Sequence, residues 1–262
     1  MTIDERFSAA SDLLWRHWQD GTRLATLPEA VRPETRAEGY QVQAHLERRS
    51  GAALFGWKIA ATSLAGQAHI AVDGPLAGRL LREKVVESQG ELPFGANHMR
   101  VAEAEFAFRM GRDLRPRPEP YSVEEALAAV DTLHTAIELP DSRYEDFTIV
   151  GAPQLIADNA CAHLFVIGPA TTARWREIDL ANHHAALTVR GKQTHHGQGA
   201  NVLGDPRIAL AWLVNELSGL DITLETGQIV TTGTCVVPLP IAPGDAIVAD
   251  FGLLGEVSVR VV

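Results

Sequence analysis

Apolar positions recur every three or four residues at the start of the chain. In "DERFSAASDLLWRHWQDG" the spacing of Phe7, Ala10, Leu14 and Trp18 predicts a helix, with Gly21 as its stop signal. "RPETRAEGYQVQAHLERRSG" predicts a second, with Pro33 near its start and Gly51 just past its end. Tyr40, Ala44 and Gln41 would form its inner face. From residue 54 the pattern changes. "LFGWKIAATS", "MRVAEAEFAFRMG", "AIELPDSRY", "HLFVIGP" and "HAALTVRGK" read as strands, while "VDGPLAGRLL" reads as a turn-rich segment. Two helices interrupt them. "SVEEALAAVDTLHTA" has Ser122 as N-cap and Glu125 completing a capping box. "DPRIALAWLVNELSG" starts at Asp205 and Pro206 and stops at Gly219. The C-terminal stretch is strands and turns. Helices first and a mostly β remainder predict an α+β fold, with a helical cap over residues 1–53 and a body over 54–262.

Composition narrows the partners. With 33 acidic against 23 basic residues the net charge is −10, which argues against nucleic acid or an anionic membrane. A small acidic substrate is not excluded, because it reads only the local field. The start, "MTIDERFSAA", carries acids where a secretory signal would be basic and then apolar. No stretch approaches the ~20 apolar residues of a membrane span, so the cytoplasm is the expected location. Two cysteines, Cys161 and Cys235, without a CxxC pair, predict neither a disulfide framework nor a thiolate zinc site. His183, His184, His195 and His196 lack the i, i+4 spacing of a helical metal pair and are assigned to surface or loop. The glycines of "GQGANVLGDP" lack the flanking strand and acid of a nucleotide site.

The chemistry gathers in "VAEAEFAFRM". On a strand, residues i and i+2 share a face, so Glu103, Glu105, Ala107 and Arg109 point one way and Ala104, Phe106, Phe108 and Met110 the other. Two readings are open: a solvated face with Arg109 as partial partner, or a pair gripping a divalent cation, the usual remedy for desolvated carboxylates. Glu138, in "HTAIELPDSR", offers a third acid. All-oxygen donors suit Mg²⁺, Mn²⁺ or Ca²⁺ over zinc. Lys58, between Trp57 and Ile59, either snorkels to water or, in apolar company, gives up its proton more easily and serves acid–base chemistry.

Lys58 in "GWKIAATS", the pair in "VAEAEFAF", Glu138 in "IELPDSR", "ADNA" at 157–160, "GDPRIALAWLVNEL" and "GTCVVPLPIAPGD" occur in order. Through them the chain resembles, over residues 5–262, the 2-keto-4-pentenoate (2-hydroxypenta-2,4-dienoate) hydratases and 4-oxalocrotonate decarboxylases of the fumarylacetoacetate hydrolase superfamily. The resemblance implies a mixed β-roll body and a homo-oligomer that associates with a related decarboxylase or hydratase. It implies that Glu103, Glu105 and Glu138 hold Mg²⁺ or Mn²⁺ and that Lys58 is the active-site lysine. Ser142 and Arg143 would lie beside the site, with Cys161 where relatives commonly have serine. Gly233 and Thr234 would lie near the carboxylate of a 2-oxo or 2-hydroxydienoate acid. The implied reaction is addition of water to the dienoate, with the metal stabilising charge on the C2 oxygen. Decarboxylation of a vinylogous 2-oxo diacid is the alternative, and an inactive metal-binding partner subunit a third reading. Hydratases usually carry a second aspartate in this turn; "DGPLAG" keeps Asp73 but has Leu76 there, as the decarboxylases do with an apolar residue. Asp73 and Glu83 are the nearest acids to replace it.

Overall fold

The computed structural model describes residues 2–262. Its strands are β1 (Leu54–Ala60), β2 (Leu76–Leu81), β3 (Val85–Glu87), β4 (Gly90–Leu92), β5 (Val101–Met110), β6 (Val130–Leu139), β7 (Leu164–Ala170), β8 (His184–Val189), β9 (Gln193–Gln198), β10 (Ile229–Thr234), β11 (Leu239–Pro240), β12 (Ala246–Asp250) and β13 (Glu256–Val261). Its helices are α1 (Ile3–Asp20), α2 (Arg36–Ala44), α3 (Leu46–Ser50), α4 (Leu64–His69), α5 (Val123–Ala128), α6 (Ala152–Ala157) and α7 (Pro206–Gly219). The fold is α+β: N-terminal helices lead into a curled, mixed β body.

Two sheets form that body. The larger runs β2-β1-β10-β5-β6-β7-β3, with β11 extending β5; the smaller runs β4-β13-β12-β8-β9. β1 and β10 are parallel, whereas β10, β5, β6 and β7 are successively antiparallel. β5 therefore lies at the centre, with only Val101, Glu103 and Arg109 of its residues partly exposed. Ala104, Phe106, Phe108 and Met110 enter the main core, while Ala107 packs on Ala136, Phe165 and Ile229 on the other side.

The first helix forms as its spacing predicts. A Thr2–Glu5 capping box starts it, Gly21 ends it in the left-handed region, and Phe7, Ala10, Leu14 and Trp18 are buried. The second segment differs from expectation. It breaks at His45, and Tyr40, Val42 and Gln43 are buried while Gln41 and Ala44 are exposed. The reason is its docking partner, the free edge of β2. Tyr40 Oη accepts from Ala77 N at 3.1 Å, and Gln43 Nε2 donates to Ala77 O at 2.8 Å. Side chains of the helical region thus satisfy the ladder groups of a buried sheet edge.

Two other expectations change. "PLAGRLL" is no turn beyond Pro75: Leu76–Leu81 is a strand with every residue buried. The helix after Ser122 keeps its capping box but ends at Ala128, because Val130 onward is drawn into the sheet between β5 and β7. Tertiary pairing here overrides local helix propensity.

Candidate active site

The β5–β6 register sets Glu103 directly opposite Glu138, with Glu105 two residues along the same face. One carboxylate oxygen from each of the three lies within 4.8 Å of the others. Glu105 and Glu138 are fully buried, and Glu103 is partly exposed. The wet-face reading of this strand therefore does not hold.

Glu105 Oε2 is held by Gly233 N–H at 3.0 Å and by the Thr231 hydroxyl. Its Oε1, and both oxygens of Glu138, are buried without a hydrogen-bond donor. Burial, then repulsion from Glu138, raises Glu103 to about 7. Burial, then Glu138 and Glu103, raise Glu105 well above its ordinary value, and burial raises Glu138 against the pull of Lys58. Donor-free, hard oxygen acceptors on Glu105 and Glu138, clustered with the carboxylate of Glu103, match the donor set of a divalent cation such as Mg²⁺, Mn²⁺ or Ca²⁺.

Lys58, on β1, is 3% exposed, so it does not snorkel. Its Nζ donates to Ala160 O at 3.1 Å and lies 3.1 Å from Glu138 Oε1 as an ion pair, outside good hydrogen-bond direction. In the metal-free site the balance runs against an easily lost proton. Burial does disfavour the ammonium, but Glu138, Glu103 and Glu105 outweigh it and raise its pKa.

The carbonyl that takes Lys58 belongs to a strained turn. Asn159, Ala160 and Cys161 are three successive non-glycine residues at φ 57°, 49° and 61°. Asn159 pins the turn by bonding both backbone groups of Arg79, accepting from its N–H at 2.6 Å and donating to its carbonyl at 2.8 Å. Gly78 makes room: a Cβ there would sit 2.4 Å from Asn159 O and 3.1 Å from the Lys58 stem.

The remaining sequence-derived residues divide. Ser142 donates to Asp158 Oδ2 at 2.7 Å. Arg143, 1% exposed, spends its donors on Asp158, Asp141 O and Ala162 O, so it braces the turn from within. Cys161 closes the turn, its thiol pushed up to about 12 by burial and Asp158 and so neutral. Gly233 N–H is committed to Glu105, and the Thr234 hydroxyl donates to Val236 O at 2.8 Å. Asp73 does not join the cluster. Its side chain is 88% exposed and 3.4 Å from Arg36. Glu83 is likewise exposed, bonded to Ser50 at 2.9 Å. Leu76 is fully buried in the core. Sequence reasoning did not single out Thr231 or Asp158; a glycine inside a strand, two residues after Thr231, is the signal that marks the bulge.

A buried carboxylate triad with a lysine against it, at the centre of a curled β body, defines a β-roll protein with an acidic, cation-competent centre. The chain belongs to the fumarylacetoacetate hydrolase C-terminal family, whose sequence profile matches residues 81–262. It is 30% identical over 260 residues to the 2-keto-4-pentenoate hydratase of Paraburkholderia xenovorans, covering 98% of this chain and 95% of that one. A 4-oxalocrotonate decarboxylase of a Pseudomonas species is 32% identical over 211 residues, 79% of this chain and 78% of that one. Among solved structures, the 4-oxalocrotonate decarboxylase from Pseudomonas putida G7, complexed with magnesium and adipate, superposes with a TM-score of 0.89 at 27% identity. That match covers 100% of this chain and 99% of the other. Among the described residues no helix is long and apolar enough to cross a membrane.

Proposed function

We propose that this chain is a divalent-metal-dependent hydro-lyase that adds water to a 2-hydroxy-2,4-dienoate or its 2-oxo-4-enoate tautomer. The observation that carries this reading is the set of buried oxygens without hydrogen-bond donors on Glu105 and Glu138, clustered with Glu103 beside Lys58. Near-full-length similarity to 2-keto-4-pentenoate hydratases supports it.

Glu103, Glu105 and Glu138 would hold Mg²⁺ or Mn²⁺. Once bound, that cation supplies Lewis-acid polarisation of the substrate's 2-oxo group. Lys58 enters as the ammonium, held between Glu138 and the Ala160 carbonyl, and donates a proton to the conjugated chain. The turn from Asn159 to Cys161 fixes the lysine's position, and Gly78 allows it to approach. Burial excludes bulk water and keeps these charges weakly screened.

Decarboxylation of a vinylogous 2-oxo diacid is a second reading, and Leu76 favours it. No carboxyl stands at that position to handle water, and exposed Asp73 does not supply one. Both readings make the chain a cytoplasmic homo-oligomer acting on a small acid, with a helical cap over 1–53 and a catalytic body over 54–262.

Incubation with Mg²⁺ and 2-hydroxypenta-2,4-dienoate, then with 2-oxohex-3-enedioate, separates them when ultraviolet loss and CO₂ release are followed together. Hydration without CO₂ is the expected outcome. CO₂ from the diacid establishes the alternative, and silence with both overturns catalysis altogether.

A further inference from the structure

β10 pairs in register with β5 through Thr231, opposite Ala107, and then slips. The next pair is Thr234 with Glu105, so β10 spends three residues where β5 spends two. This is a β-bulge, and it sits against the carboxylate triad. Gly233, within it, has φ 92°, and a Cβ there would lie 2.3 Å from Thr62 Oγ1. Only glycine meets both conditions.

The bulge turns two donors onto one atom. The Gly233 N–H leaves the ladder and points at Glu105 Oε2, 3.0 Å away, and the Thr231 hydroxyl donates to that same oxygen. Thr232, between them, turns instead to Phe106 O at 3.2 Å. Glu105 Oε2 is thereby saturated, while Oε1 is buried and has no donor. The carboxylate has one spent face and one free face.

Granting that the triad holds a cation, as proposed above, we infer that Thr231 is a positioning residue that makes Glu105 a one-oxygen ligand and biases the site toward small octahedral cations over Ca²⁺. A carboxylate with one oxygen tied back cannot swing to chelate through both. Ca²⁺ accepts two-oxygen carboxylate binding and a loose geometry, whereas Mg²⁺ demands near-ideal octahedral placement. Hydrogen bonds behind a ligand commonly set its orientation and affinity.

The test is calorimetric titration of Mg²⁺ and Ca²⁺ into metal-free Thr231→Val, Thr231→Ser, Thr231→Ala and Glu105→Gln proteins, with melting of each as the folding check. Valine keeps the branched shape a strand prefers and removes only the hydroxyl. The expected result is roughly tenfold weaker Mg²⁺ binding in T231V and T231A, a smaller loss for Ca²⁺, and recovery in T231S. Wild-type Mg²⁺ affinity in both hydroxyl-free variants, with E105Q unable to bind, overturns the inference and leaves the metal site standing. Wild-type affinity in E105Q overturns the metal site and the inference with it.

Discussion

Glu103 on β5 faces Glu138 on β6 as a directly opposed cross-strand pair, with Glu105 beside them and Lys58 within ion-pairing distance of Glu138. Like charges directly opposite destabilise a sheet, and here one of the two is buried. Their raised pKa values give the sign. Folded-state values above the ordinary 4.5, reaching about 7 at Glu103, mean that the metal-free fold is favoured when these groups are protonated. For Glu103 that advantage is lost as pH rises from about 4.5 through about 7, and Glu105 and Glu138 act in the same direction. A divalent cation binds the ionised form, so it restores stability only where that loss has occurred. The rise in melting temperature on adding Mg²⁺ should therefore be small near pH 5.5 and large near pH 8. An equal rise at both, or a larger one at low pH, would count against a cation in this cluster.

Lys58→Met should separate catalysis from metal binding. The ammonium it removes lies against Glu138 and Ala160 O, so turnover should fall by about 10²- to 10⁴-fold, the range for loss of a positioned proton donor. Mg²⁺ affinity should hold or rise, because a competing cation has gone. Titration calorimetry beside steady-state kinetics measures both. Unchanged turnover would remove Lys58 from the chemistry.

How much of this was written in the sequence depends on distance along the chain. The two glutamates of β5 share a face because strand side chains alternate, and α1 follows directly from its apolar spacing. Glu138 joins them only through the β5–β6 register, which spacing alone does not fix. The charges around Lys58 are hidden for the same reason. Its immediate neighbours are apolar, but the charges that set its protonation come from β5 and β6. β2 read as turn because Gly78 and Pro75 look like punctuation. In the fold Gly78 is the close approach of Lys58 and Asn159 to a buried strand. Arg143 is placed beside the site by the resemblance of its turn alone, which does not say what it touches. Its partners, Asp158 and the carbonyls of Asp141 and Ala162, are visible only once the turn has formed.

Gly78→Ala tests that close approach. The added carbon would lie 2.4 Å from the Asn159 carbonyl oxygen, a backbone atom that cannot simply rotate away, and 3.1 Å from Lys58 Cγ and Cδ. Overpacking of this kind costs about 1–3 kcal/mol, and here the relief would displace the turn that holds the lysine. Gly74→Ala, with nothing within 4 Å, should change stability by no more than about 0.5 kcal/mol. Denaturant melts of the pair, with turnover measured at a temperature where both are folded, give the comparison. Equal stability and equal turnover would mean that the turn moves freely.

Asp158→Ala distinguishes a brace from a substrate contact. Arg143 is 1% exposed and its charge is met by Asp158, which is itself fully buried and also holds the Ser142 hydroxyl. The guanidinium further stacks 4.5 Å from the Trp18 ring, tying α1 to the turn. Removing one partner of a buried ion pair leaves the other uncompensated, at a cost of about 3–5 kcal/mol. D158A should therefore melt far earlier than the wild type. At a low temperature where it remains folded, it should bind Mg²⁺ normally, because its partners are Ser142 and Arg143 rather than the triad. Arg143→Lys should melt early as well, since an ammonium cannot reproduce the planar fork that reaches Asp158 and two carbonyls at once. If R143K instead kept its melting temperature and raised KM alone, Arg143 would be a substrate ligand and the brace would be disproved.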